Sequence, residues 1–210
     1  MHPIAGGLGM NSGIQDAHNL GWKLGLVLAG KATPDLLDTH DEERLPIASW
    51  LLNITSERLN AVLAAIKESG GGVDAVASPE LTQLQLGYRW SRLSRNAASR
   101  SSGPQPGDRA PDAPCRDPFT GTSKCLFDLF PRTPFHLLGL GERCAAALGD
   151  LKTGIVKPYL IGPGGLIDDA GHVAHAYGQD SLILIRPDGY IGLIADADNA
   201  LAVADYLRAL

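Results

Sequence analysis

The chain has little of several things, and each shortage excludes a class of protein. Cysteine is scarce: Cys115, Cys125 and Cys144 are the only three in 210 residues. None stands in a C-x-x-C pair, the spacing that lets one thiol be acidified and the other resolve it, so dithiol exchange is excluded. Isolated thiols in odd number also exclude a disulfide-stapled scaffold and fit a reduced, cytoplasmic setting. Although 44% of residues are hydrophobic, no run approaches the roughly 18–20 apolar residues of a membrane span. No basic segment followed by an apolar run opens the chain, which excludes a secretory signal of the usual form there. Basic charge is in deficit as well. There are 10 basic against 11 acidic residues up to position 110 and 8 against 12 beyond it, for a net charge of −5. Nucleic-acid phosphates would be repelled. His172 and His175 stand three apart, but no further ligand is grouped with them, so no metal site is assigned.

What is present is concentrated at the start. Residues 1–24, MHPIAGGLGMNSGIQDAHNLGWKL, read as a glycine-rich loop (Gly6, Gly7, Gly9) running into a helix that begins near Asn11 and Ser12. Ser12 and Gln15 have the S-x-x-Q spacing of a capping box. Gly30 supplies the stop, being free to take the left-handed conformation past the last turn. Amides unscreened by side chains at a helix N-terminus suit an anion or a polarised carbonyl, because unpaired N–H groups and the helix dipole both favour negative charge. A glycine-rich turn before a helix is common, so this pattern alone assigns no ligand. His2, with no Cys, Asp or second His beside it, carries no acid–base assignment.

The longer string is more specific. Pro3, Gly6-Gly7-x-Gly9-Met10-Asn11-x-Gly13, Asp16, Asn19-Leu20 and Trp22-Lys23-Leu24 occur in one order, and this order closely resembles the flavin-contacting segment of FAD-dependent aromatic-ring hydroxylases of the phenol and polyketide hydroxylase type. The likeness continues in Asp38-Thr39-His40, Glu43-Arg44-x-Pro46-x-Ala48, Gln85-Leu86-Gly87-Tyr88-Arg89, Pro106 to Asp112, Leu126 to Leu129 and Arg186-Pro187-Asp188-Gly189-Tyr190. The resemblance implies an FAD- and NAD(P)H-dependent monooxygenase acting on an aromatic or polyketide substrate. It implies cofactor contacts at Pro3, Gly7, Leu8, Gly9, Met10 and Asn11, with Pro3 beside the reactive edge of the flavin ring. It names no catalytic side chain. Members of the family are more than twice as long and open with a strand, G-x-G-x-x-G and helix for the ADP half of FAD. That part has no counterpart here, so the resemblance is to a C-terminal portion whose partner would be an N-terminal FAD-binding portion, or a second copy of the chain. A non-catalytic interaction or dimerisation module is the alternative.

Punctuation and periodicity give the organisation. Ile14, Ala17, Leu20, Leu24, Val27 and Leu28 recur at helical spacing, and Trp22 and Leu24 are expected in the core. Pro34 suits the start of a short helix. Pro46 is expected in the first turn of another that runs to about Ser69, with Ile47, Leu51, Ile54, Leu59, Val62 and Ile66 inward and Gly70-Gly71-Gly72 as its end. A further helix is expected after Pro79 on Leu81, Leu84 and Leu86. Residues 96–117 read as a surface linker. Arg89, Arg92, Arg95 and Arg100 are expected to be solvated or paired with acidic helices. Beyond the linker, strands are expected at Phe135–Leu140, Lys157–Ile161, Ser181–Arg186 and Tyr190–Ile194. Short helices are expected at Glu142–Gly149 and Ala197–Leu210, with Pro187-Asp188-Gly189 as a hairpin turn. The class is therefore α/β: residues 1–100 a helical remnant of a flavin monooxygenase core, residues 101–210 a redox-inactive domain that the resemblance makes thioredoxin-like.

Overall fold

The computed structural model describes residues 8–69, 83–99, 103–130, 134–151 and 154–210. Two long helices come first. Helix α1 (Leu8–Leu28) ends as its sequence prescribes. Gly30 takes φ +63° while its N–H donates to Val27 O and that of Lys31 to Leu26 O, the paired bonds of a Schellman stop. The start differs from expectation. The helix already runs at Leu8, so Ser12 lies in its second turn and cannot cap it with Gln15. The short helix expected at Pro34 is a 3-10 turn, Pro34–Leu37, and it leads into α2 (Asp38–Ser69), which starts eight residues before the expected Pro46.

Pro46 sits well inside α2, not in its first turn. It has no N–H to give the carbonyl four residues back. That carbonyl, Glu42 O, instead accepts the indole N–H of Trp90 at 2.9 Å. A partner from another segment thus occupies the gap, and the helix continues. Ile47 and Leu51 face inward as expected. The side chains of Leu59, Val62 and Ile66, and the glycines at 70–72, lie outside what is described. So do Pro79 and Leu81, whereas Leu84 and Leu86 stand in irregular backbone and form no helix.

A five-stranded mixed sheet follows. Its strands are β1 (Arg95–Ala97), β4 (Phe135–Leu140), β5 (Val156–Ile161), β6 (Ser181–Ile185) and β7 (Ile191–Asp196), in the order β1-β7-β6-β4-β5. Short strands β2 (Pro114–Arg116) and β3 (Ser123–Cys125) form a separate ribbon. Single-turn helix α3 (Leu126–Leu129) follows it, then α4 (Ala145–Asp150), α5 (His172–Tyr177) and α6 (Ala200–Arg208) among the later strands. β4 and β5 run parallel through α4, β6 lies antiparallel to β4, and β6–β7 is the expected hairpin around Pro187-Asp188-Gly189. Residues 96–117 are not a plain surface linker. They contribute to β1, which pairs with β7, supply all of β2, and bury Ala110, Ala113 and Cys115.

Strands β4 and β6 are buried at every position because both faces are covered. Phe135, Leu137, Leu182 and Leu184 pack with Trp22 of α1 and with Leu148, Val203 and Tyr206. Leu138, Leu140, Ile183 and Ile185 face the other way, toward Val173, Tyr177 and Leu126. Gly139 marks a close approach: a Cβ there would stand 2.7 Å from Cys144 Cβ, just before α4. The first helix therefore packs on the same sheet face as α4 and α6.

Candidate functional site

Helix α1 is built inside out relative to its apolar periodicity. The residues it buries are Ser12, Asn19, Trp22 and Lys23, spaced three, four and seven apart, while Ile14, Leu20, Leu24 and Leu28 are exposed, Leu28 by 78%. Trp22 is in the core as expected, and Leu24 is not. A polar stripe can turn inward only if every member is satisfied. α2 and the β6–β7 turn supply the partners.

The centre of that arrangement is Glu43, wholly buried. Arg186 donates to both its oxygens, Nη1 to Oε1 at 2.6 Å and Nη2 to Oε2 at 2.9 Å. Lys23 Nζ reaches Oε2 at 2.8 Å, Asn19 Nδ2 the same oxygen at 2.7 Å, and Ser91 Oγ donates to Oε1 at 2.7 Å. Arg186 also grips Asp188, through Nε at 3.0 Å and Nη2 at 2.6 Å, and Trp22 Nε1 donates to Asp188 Oδ2 at 3.0 Å. Two cations and two anions thus cancel in a dry site. The rings of Trp22, Tyr88 and Tyr190 surround the guanidinium at 5.3–5.8 Å. Burial alone would raise the Glu43 carboxyl, but the charges and hydrogen bonds of Arg186 and Lys23 outweigh it and hold the group at about 2. Burial pulls Lys23 down to about 8 against the attraction of Glu43. His40 touches the cluster through Nδ1, 3.0 Å from Asn19 Oδ1. Asn19 turns its NH₂ to the carboxylates, so that oxygen accepts and His40 Nδ1 carries the hydrogen.

A second set clamps the front of α1. Arg44 donates from Nε to Asp16 at 2.5 Å and from Nη1 to Tyr88 Oη at 2.8 Å, while Gln83 Nε2 donates to Ser12 Oγ at 3.0 Å. These contacts fix the axis of α1, and with it the position of its N-terminal turn.

Of the expected cofactor residues, Pro3 and Gly7, like His2, lie outside the described residues. Leu8 opens α1, Gly9 and Met10 complete its first turn, and Met10 and Asn11 are exposed. The amides of that turn have no acceptor within the helix. None of the first-turn residues is itself acidic. Arg89, Arg92 and Arg95 are all solvated, as expected: Arg89 is bidentate on Asp108 of a loop, Arg92 stands 3.7 Å from Glu42 of α2, and Arg95 lies over the Tyr206 ring, while Arg100 is outside the described residues. His172 and His175 are exposed on α5, and among the described residues no group of metal-ligating side chains forms. A cavity of about 650 Å³ lies among glycines at the ends of β4 and β5 and contains none of the expected cofactor residues.

The FAD binding domain family matches residues 1–55, which hold the α1 start and the Glu43–Arg44 pair. Over its whole length the chain is related to flavin-dependent monooxygenases. A flavin-dependent monooxygenase of Mycobacteroides abscessus is 32% identical across 99% of this chain and 37% of its own length. The pentachlorophenol 4-monooxygenase of Sphingobium chlorophenolicum is 33% identical across 94% of this chain and 41% of its own. The fold superimposes on an aklavinone-11 hydroxylase solved with FAD and aklavinone, with a TM-score of 0.72 at 26% identity, covering 99% of this chain and 41% of that one. The chain thus spans about two-fifths of the relatives it matches. No described helix is long and apolar enough to cross a membrane.

Sequence reading missed the buried cluster. Its members fall in stretches quoted separately for the family likeness, Asn19 to Lys23, Glu43 and Arg186 to Asp188, more than 140 residues apart at the extremes. The available signal was the one place where Asn, Trp and Lys interrupt the apolar spacing of α1.

Proposed function

We propose that this chain supplies the flavin-facing helix and the C-terminal α/β unit of an FAD- and NAD(P)H-dependent monooxygenase that hydroxylates an aromatic or polyketide substrate. The observation that carries this reading is the start of α1: first-turn amides without helical acceptors, on residues none of which is acidic, inside the segment matched by the FAD binding domain family. When bound, FAD supplies the electron transfer and oxygen activation; the protein positions it and adjusts its charge. The amides of Gly9, Met10 and Asn11 donate toward the flavin edge that becomes negative on reduction, with Leu8 at the head of the helix and Pro3 and Gly7 before it as the remaining contacts. Such a helix terminus stabilises an anion by about 0.3–1 kcal/mol when exposed and up to ~2 when partly buried. The apolar face of α1, with Met10, Ile14, Leu24 and Leu28 exposed, receives the N-terminal FAD-binding portion, and the assembly works in the cytoplasm.

The strand order β7-β6-β4-β5, with one parallel pair and one hairpin, supports a thioredoxin-like unit over residues 101–210, to which the strand Arg95–Ala97 of the preceding portion adds an edge. It is redox-inactive. Cys115 and Cys144 are buried and unpaired, and burial raises both thiols away from the reactive thiolate.

The test is co-expression of this chain with the FAD-binding portion of the pentachlorophenol enzyme, beside that enzyme's own two portions as control. A purified complex with flavin absorbance bands is expected. A complex that forms without flavin, where the control retains it, would sink the reading.

A further inference from the structure

The buried charges balance among themselves, and this singles out Arg109. It lies half-buried beside the β6–β7 turn, its guanidinium 5.2 Å from the centre of the Tyr190 ring. Among the described residues no carboxylate reaches ion-pair distance of it. Asp188, its neighbour in the same cleft, already receives Arg186 on both oxygens. Asp108 is held by Arg89. Among the described residues, only Nη2 of the three Arg109 nitrogens has a partner, Tyr190 Oη at 3.1 Å. Nε is buried and has no acceptor. A buried cationic donor left unmade is costly, and such groups mark places where a partner belongs.

The space beside it has a definite character. A cleft of about 210 Å³ runs between α1 and the turn, lined by Arg109, His18, Phe127, Phe130, His136 and Asp188 among others. It abuts a further 40 Å³ that shares His18, Arg109 and Asp188. Phe130 stacks on His136 with centroids 4.8 Å apart, and Phe127 stands 6.4 Å from Phe130, so one wall is aromatic. The combined space falls short of the roughly 300 Å³ at which drug-sized pockets begin, so it holds one ring rather than a polycycle. The geometry points to a site for a small aromatic monoanion, its carboxylate on Arg109 with His18 at the mouth and its ring against Phe127 and Phe130. A guanidinium pairs with a carboxylate through parallel N–H donors, and the adjoining rings exclude water from the pair. This site requires no flavin and stands apart from the start of α1.

The probe is benzoate, titrated into the ¹⁵N-labelled 210-residue chain while the Arg109 Nε–H and Gly189 amide signals are followed, with benzamide as the neutral isostere. Saturable shifts with benzoate are expected, and binding of benzamide weaker by about tenfold or more, since the charge-assisted bond is lost. Arg109→Gln abolishes the preference for benzoate and Arg109→Lys restores part of it. Equal binding of the two probes, an unchanged preference in Arg109→Gln, or no saturable shift with benzoate would overturn the assignment. The comparison of probes on the unmutated chain stands even if a variant fails to fold.

Discussion

At the scale of residues, Glu43 decides most. It is the shared acceptor of a lysine and an arginine, all three without solvent exposure. Removing one member of such a set leaves uncompensated charge in a dry interior, which costs about 3–5 kcal/mol. Glu43→Gln is therefore expected to lower unfolding free energy by that order in urea melts. Arg89→Ala, which breaks a surface pair with Asp108, is expected to cost under about 1 kcal/mol. Equal losses would show that the cluster is not dry. The same groups set the pH response. Glu43 sits at about 2 in the fold against an ordinary 4.5, so its contribution is full above pH 4.5 and is lost as pH falls toward 2. The whole swing is about 3 kcal/mol. Lys23 at about 8, below its ordinary 10.5, sheds its proton earlier when folded, so stability gains as pH climbs from 8 toward 10.5. Chemical melts across pH check both limbs; Lys23→Met should remove the alkaline one.

Among elements, α2 shows how a local rule yields to tertiary structure. Proline at position 46 reads as a helix start because its missing N–H is harmless in a first turn. The helix tolerates it farther in because Trp90 donates to the carbonyl that proline leaves open. Trp90→Phe is expected to cost about 0.5–1.5 kcal/mol in the natural chain and less in a Pro46→Ala background, where the alanine N–H takes over. A double-mutant cycle measures the difference, and additive losses would contradict the substitution of one donor for the other. The sheet was legible for the opposite reason. Phe135–Leu140 is a strand at its expected bounds, and Ser181–Ile185 differs by one residue, since short apolar runs bounded by turn residues leave few alternatives. The edge strand Arg95–Ala97 was not legible: three residues without alternation gain their strand form only from β7. Gly30 was readable as a stop, whereas Ser12 misled, because its hydroxyl serves Gln83 across the structure rather than the helix start.

For the whole molecule, the sequence likeness points to a candidate cofactor turn but gives no hint of what holds it. Ser12, Asn19 and Lys23 look like polar interruptions of an apolar helix until Glu43, Arg44 and Arg186 are folded against them, and no local pattern links residues so far apart. The same inversion turns Ile14, Leu20, Leu24 and Leu28 outward on one helix. An apolar stripe of that length drives association. Sedimentation velocity of the chain alone is expected to show dimers or larger species growing with concentration, and Leu24→Glu with Leu28→Glu should shift them to monomer. A monodisperse monomer of the unmutated chain at high concentration would contradict this use of the face.

The proposed function places the first turn of α1 against the flavin edge that becomes anionic. The most direct measurement is the midpoint potential of FAD in the two-part complex, with and without Gly9→Pro, which removes one first-turn amide where proline is tolerated. Loss of one hydrogen bond to a charged group, about 1.5 kcal/mol, should lower a two-electron potential by about 30 mV. An unchanged potential in a variant that still binds FAD would contradict that placement.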